Sequence, residues 1–233
     1  MTPFHWVAFG ELDPARWGAA LFRAETGAGE LVLGAPGEAT FISVELDASG
    51  QAWTLRGDGL ELTIAPTGEG ALDRVTGSLT FEDQRHDVDA PASRETLSDP
   101  GELDSLRLLA AWFGDDEALA LSASRPRGAR GQENDLITAS LVESGVARTV
   151  IDPRLSTTYT GDGVPSRAGV ELWVSEPGEE PDTSTERPYR IAGDAAGSGA
   201  TWSEREFQLA AYPLHCHSHG RDGAGVYLLG RPA

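Results

Sequence analysis

The chain has 233 residues, 37 acidic and 18 basic, and its formal net charge of −19 opposes binding to phosphate backbones and anionic lipid surfaces. Its single cysteine, Cys216, allows no intramolecular disulfide, and no window reaches the about 18 apolar residues of a membrane-spanning helix. We therefore expect a cytoplasmic protein that binds neither nucleic acid nor membranes and is long enough for two packed halves.

Alternating apolar and polar residues predict short β-strands along most of the chain. In segment 41–47, Ile42, Val44 and Leu46 share one face, and the same pattern recurs at 59–64 after a glycine-containing turn. Strands joined by such turns pair with their neighbours in sequence, which predicts an antiparallel meander. Helix-length amphipathic windows are nearly absent, whereas further alternating segments occur at 17–23, 71–81, 102–113, 117–125, 135–143, 146–151, 155–160, 167–174, 188–193, 201–209 and 211–219.

A segment with two prolines, 90–101, is interpreted as a linker between two β halves, 1–100 and 101–233. Similar features recur in similar order on its two sides, with Trp6 and Trp112 near the two starts. Two β halves can protect their edge strands by closing into barrels or by packing as sandwiches. We therefore expect an all-β, antiparallel fold of two packed halves, in which a cavity is geometrically natural.

Polar residues in the second half could line such a cavity. Arg125 begins a cluster of three arginines in segment 124–131, which could capture an anionic ligand or simply moderate the local acidity. Thr157 and Tyr159 share one face of a hydroxyl-rich strand. With Arg125 they could orient a carbonyl or carboxylate, although hydroxyl-bearing residues are also ordinary strand formers.

Segment 168–174 combines one wholly apolar face with a face that carries Glu171 and Trp173. An indole beside a carboxylate is typical of a cavity wall, where Glu171 could act as a general acid or base. Alternatively, Trp173 covers a surface patch and Glu171 is solvated or paired with Arg154 or Arg167.

Three imidazoles alternate near the end of the chain, at His215, His217 and His219, so a strand would point them to one face. Residues two apart on a strand are separated by about 6.5–7 Å, so two of these histidines, but not all three, could share a zinc, iron or nickel ion. Alternatively, this is a solvent-facing edge strand. Candidates for a third metal ligand are His86, Asp87 and Glu171.

The opening segments His5–Leu12 and Trp17–Arg23, with Trp53-Thr54-Leu55, resemble the first hairpin and a later strand of lipocalin-like proteins of the AttH and carotenoid 1,2-hydratase type. The resemblance implies two lipocalin-like β-barrels packed together, with an apolar ligand near the interface of the halves. The family includes hydratases and cyclases. At 5–7 this chain has His-Trp-Val where the family would have an acidic residue and paired tryptophans, so no catalytic residue is carried over.

The sequence therefore predicts a protein that binds an apolar small molecule, with or without cofactor-free hydration, isomerisation or cyclisation, using Glu171 or Tyr159 for proton transfer. A metal-dependent site on the histidine strand and a non-catalytic interaction module with a filled core remain the alternatives. The predicted ligand-binding residues are Trp112, Trp173, Arg125 and Thr157.

Overall fold

The computed structural model describes residues 3–10, 16–35, 38–67, 72–81, 84–97, 102–177, 184–204 and 207–232, and β-strands dominate them. None of these residues lies in a helix with the length and apolar character needed to cross a bilayer. The strands are β1 (Phe4–Gly10), β2 (Trp17–Arg23), β3 (Ala28–Ala35), β4 (Glu38–Asp47), β5 (Trp53–Gly57), β6 (Leu60–Pro66), β7 (Asp73–Phe81), β8 (Gln84–Leu97), β9 (Leu103–Trp112), β10 (Ala118–Pro126), β11 (Leu136–Glu143), β12 (Val146–Tyr159), β13 (Pro165–Pro177), β14 (Ser184–Ala195), β15 (Ala200–Glu204), β16 (Phe207–Ser218) and β17 (Arg221–Pro232).

Strands β1 to β8 form a closed antiparallel barrel, the N-terminal barrel. Each strand pairs with the next one in sequence, and β8 returns to pair with β1, so no edge strand is left open. Apolar side chains from all eight strands fill the interior, among them Val7, Phe22 and Leu62. Strand β8 runs through most of the predicted linker because Ala90 and Ala92 pack inside this barrel.

The C-terminal barrel has a different strand order. Strands β9 to β14 follow one another, but the last strand, β17, lies between β9 and β16, and β14 closes the ring by pairing with the second half of β16. Strand β15 lies outside this ring of eight and pairs with the first half of β16. The all-β antiparallel architecture of two barrel halves is thus confirmed.

The two barrels are joined by an apolar interface. One cluster of buried side chains combines the outer faces of β1 and β2 with the outer faces of β9, β16 and β17. Trp6 and Trp112 lie in it with no exposed surface. Burial of a large apolar side chain stabilises a protein by about 1.5–3 kcal/mol, so the interface contributes strongly to the stability of the pair.

Candidate ligand-binding site

The interior of the C-terminal barrel is apolar and buried, and its two ends differ slightly in exposure. Leu172 and Cys216 have no exposed surface, whereas Leu155 and Leu229 keep 7% and 5%. All four side chains belong to the same interior cluster. The little exposed surface that they keep belongs to Leu155 and Leu229, so we call the end on which β12 ends the open end.

A buried ion-pair network lies at the open end. Arg107 shares a strand face with the interior residue Leu109 and pairs in register with Ala123, so its side chain points into the barrel. Its guanidinium donates to one oxygen of Asp135, and Nε of Arg125 donates to the other at 2.7 Å. The side chains of Arg107 and Asp135 are only 5% and 2% exposed, against 22% for Arg125.

Hydroxyl groups adjoin this network. The hydroxyls of Thr157 and Tyr227 form a hydrogen bond of 3.0 Å, and Tyr159 lies beside them at the rim, where the guanidinium of Arg231 covers its ring at 5.7 Å. Burial raises the pKa of Tyr227, and the hydrogen bond with Thr157 and the charge of Arg107 only partly oppose this rise. Tyr227 is therefore a neutral phenol that can donate or accept a hydrogen bond.

We call these six side chains the mouth cluster. It places two guanidinium groups, two phenols and a hydroxyl beside one end of an apolar interior, and convergent polar groups next to apolar surface are typical of small-molecule sites. Asp135 fixes the arginines through separate oxygens, which leaves Nη groups of Arg125 as donors for a ligand. The mouth cluster consists of Arg107, Arg125, Asp135, Thr157, Tyr159 and Tyr227.

Another buried polar group closes the opposite end. Glu117 accepts hydrogen bonds from the hydroxyl of Tyr189 and, at 2.7 Å, from Nη1 of Arg221. Nη2 of the same arginine donates to Asp116 at 2.9 Å. Burial, followed by the bond to Glu117, raises the pKa of Tyr189. Each of these groups has a partner within the protein, and the carboxylate of Glu117 is the most deeply buried of the ion-paired groups at this end.

The N-terminal barrel also carries polar side chains at one end, but they bind one another. Arg94 lies 3.1 Å from Asp73 and stacks over Trp53 at 5.1 Å, and the ring of His5 packs against the same indole at 4.8 Å. Nδ1 of His5 is 2.9 Å from the hydroxyl of Thr96. Burial lowers the pKa of His5 and raises that of Asp73. These contacts pair the polar groups at this end of the N-terminal barrel with one another.

The structure brings three of the sequence-predicted residues together, since Arg125, Thr157 and Tyr159 all belong to the mouth cluster. Glu171 and Trp173 lie instead on the outer face of β13, because its apolar residues fill the interior. There Glu171 accepts from Nε of Arg190 at 2.9 Å, and Arg154 covers Trp173 at 5.4 Å.

Trp112, the remaining predicted ligand-binding side chain, is also separate from the mouth cluster. Its strand places Leu109 and Ala111 inside the barrel, so Trp112 points the other way, into the interface between the barrels. It packs there close to Gly10 of β1. The structure thus places Trp112 near the interface of the halves, but away from Trp173 and Tyr159.

Three members of the mouth cluster were missed in the sequence. Arg107 is a single charge within the apolar run Leu106–Trp112, and a charge on an apolar strand face signals a buried ion pair. Asp135 and Tyr227 carry no such signal, because their positions depend on how distant strands close the ring. A polar residue in a strand therefore indicates a buried position only where the rest of its face is apolar.

The histidine strand lies on the outer surface of the same barrel. His215 and His217 are exposed and adjacent, with ring centroids 4.5 Å apart, and Asp222 of β17 lies beside them. His219 belongs to the turn that follows, with a φ of 46°, and its ring packs against Tyr189 at 4.8 Å. The third histidine is therefore separated from the first two, as the strand spacing predicts.

Cys216 points inward between the two exposed histidines, and its burial raises the pKa of the thiol to about 12. Because the thiolate is the reactive form, we expect a disulfide reagent such as DTNB to leave Cys216 unmodified in the native protein and to modify it fully in urea. Absorbance of the released thiolate measures this. Rapid stoichiometric reaction without denaturant would contradict the buried position.

No protein-family model and no curated protein sequence matches this chain. Solved structures that resemble this chain include a protein of Nitrosomonas europaea named as an AttH, with a TM-score of 0.60 and 11% identity over 99% of this chain and 92% of that one. They also include kievitone hydratase from Nectria haematococca, with a TM-score of 0.54 and 6% identity over 98% of this chain and 87% of that one. At these identities the likeness establishes the fold alone. It confirms the lipocalin-like, AttH-type architecture that the opening hairpin indicated.

Proposed function

We propose that the C-terminal barrel binds an apolar small molecule that carries a carbonyl or carboxylate group. The observation that carries this proposal is the mouth cluster, because one buried arginine, one partly exposed arginine and two phenols lie together at one end of an apolar barrel interior. The apolar body of the ligand would contact residues such as Leu155 and Leu229. Its polar group would meet Arg125.

The position of each partner supports this orientation. Arg125 is the more exposed arginine of the network and is already oriented by Asp135, so binding a carboxylate would require little further ordering of its side chain. Thr157 and Tyr227 are hydrogen-bonded to each other beside it and could share a carbonyl oxygen. The partly exposed Tyr159 lies where the ligand would enter.

The chemistry that these residues would support is cofactor-free proton transfer, as in hydration, isomerisation or cyclisation, with the phenol of Tyr159 as the proton donor. One structural neighbour is named as a hydratase, which fits this class of reaction. The variant Tyr159→Phe would then still bind the ligand but would no longer convert it. We further propose a cytoplasmic location, which a chain with one buried cysteine suits.

Two fluorescent probes of similar shape test the polar anchor. 1-Anilinonaphthalene-8-sulfonate carries an anion, whereas N-phenyl-1-naphthylamine does not. We expect Arg125→Gln to weaken binding of the anionic probe about tenfold, the loss of one charge-assisted hydrogen bond, while binding of the neutral probe changes less than about twofold. Fluorescence titration measures both affinities.

Glu171→Gln is the matched control, because it removes a charge from the outer face of the same barrel. It should leave both affinities unchanged, and far-ultraviolet circular dichroism should show that each variant is folded. An equal loss of affinity for the anionic probe in Arg125→Gln and Glu171→Gln would reject the mouth cluster as the site. So would a lack of saturable binding of either probe to the unaltered protein.

A further inference from the structure

We propose that the outer surface of the C-terminal barrel binds one divalent first-row transition-metal ion through His215, His217 and Asp222. This metal site is independent of the proposed ligand site in the barrel interior. It rests on how two neighbouring strands place two imidazoles and one carboxylate together, and on the donor chemistry of that set.

The strand pairing brings the three donors together. Leu214 and Cys216 pack into the barrel, so the alternate residues His215 and His217 both point outward. Asp222 is the register partner of His217 on β17, and directly paired residues in antiparallel strands project to the same face. Nδ1 of His217 lies 2.6 Å from Oδ1 of Asp222, and one donor atom from each of the three residues lies within 4.8 Å of the others.

This arrangement is close to that of a bound ion. Donors about 2.0–2.1 Å from a tetrahedral zinc ion are about 3.4 Å from one another, so the three groups need only small rotations to converge. His215 and His217 are both exposed, which leaves their side chains free to make those rotations. The site therefore requires no movement of the backbone.

The donor set indicates the class of metal. Two imidazoles and one carboxylate suit zinc, nickel, copper and iron, whereas magnesium and calcium prefer oxygen donors throughout. Three protein ligands also leave a coordination position for water or another small ligand, as in catalytic rather than structural zinc sites. On this surface that position would face solvent.

The surroundings favour a cation. Asp194 of β14 is the register partner of His215 on the opposite side of β16, and it lies 3.6 Å from Arg167. A second carboxylate is thus one strand away from the imidazole pair. The formal net charge of −19 attracts cations to the whole surface, but only these three residues combine two imidazoles and a carboxylate within the part of the chain that the structure describes.

Isothermal titration calorimetry with zinc chloride tests the site on the full chain after removal of metal with EDTA. We expect one zinc ion per chain, bound at least tenfold more weakly by His217→Gln and by Asp222→Asn. His219→Gln is the matched control, because this imidazole lies in the following turn against Tyr189. It should bind zinc as the unaltered protein does, and circular dichroism should show that all three variants are folded.

Other outcomes would overturn the assignment. Weak binding of many ions without saturation would indicate only the acidic surface, and undiminished binding by both His217→Gln and Asp222→Asn would exclude these donors. An equal loss of zinc affinity in His219→Gln would also reject the three proposed ligands. None of these results bears on the mouth cluster, whose test uses organic probes and a different face of the barrel.

Discussion

Asp135→Asn is expected to lower the free energy of unfolding by about 3 kcal/mol, because it removes the only negative charge that contacts the buried guanidinium of Arg107 among the described residues. The amide keeps nearly the same volume, so the loss reports charge and hydrogen bonding rather than packing. Urea denaturation followed by circular dichroism measures it. The same variant should weaken binding of the anionic probe, since Arg125 loses its orienting partner.

Asp152→Asn provides a matched control for this change. Its partner is Arg154, and both side chains are more than half exposed, so water screens the pair and the expected change stays below about 0.5 kcal/mol. If both variants were equally stable, the network at the open end would contribute nothing to folding. Its role would then have to be assigned to ligand binding alone.

Trp112→Ala is expected to lower the free energy of unfolding by about 3–5 kcal/mol, because the side chain has no exposed surface and packs between the two barrels. Trp112→Phe should cost less, since it keeps most of the packing and removes a buried Nε1 that has no hydrogen-bond partner among the described residues. Urea denaturation of both variants measures the difference. Both changes should leave probe affinity intact in the folded protein.

Trp173→Ala removes the same side chain from a partly exposed position on the outer face, where the guanidinium of Arg154 covers the ring. We expect it to lower the free energy of unfolding by about 1 kcal/mol, the centre of the distribution for point substitutions. If Trp173→Ala and Trp112→Ala lowered the free energy of unfolding equally, packing between the barrels would contribute little to stability. Loss of probe binding in Trp112→Phe would instead place a ligand in that interface.

The fold was largely predictable because the patterns that specify its strands and turns lie within short stretches of sequence. In β4 the alternation of Ile42, Val44 and Leu46 shows directly which residues face the interior, and short turns fix the meander. Strand β17 was missed because six of its twelve residues, from Val226 to Arg231, are not alternating but mostly apolar. Both of its faces are buried, one in the barrel and one in the interface, which removes the alternation.

The candidate site was only partly predictable because its assembly depends on closure of the ring. The shared strand face singled out Thr157 and Tyr159, and the unusual charge singled out Arg125; their role in binding stays a prediction. The more apolar face of a strand turns into the barrel and the other face turns outward. In β13 the residues on either side of Glu171 are apolar and fill the interior, so Glu171 lies outside. The contact of Tyr227 with Thr157 joins positions 70 residues apart and has no local signature.

The position of β17 has a consequence for biosynthesis. The N-terminal barrel uses only strands that are adjacent in sequence, apart from its closure by β1 and β8, and can therefore form as soon as it leaves the ribosome. Its outer face, with Trp6 and Trp17, then stays uncovered until β17 is translated and completes the other barrel. During this interval the nascent chain presents an apolar surface and two open strand edges, on β9 and β16, which are targets for chaperones and for misassembly on crowded polysomes.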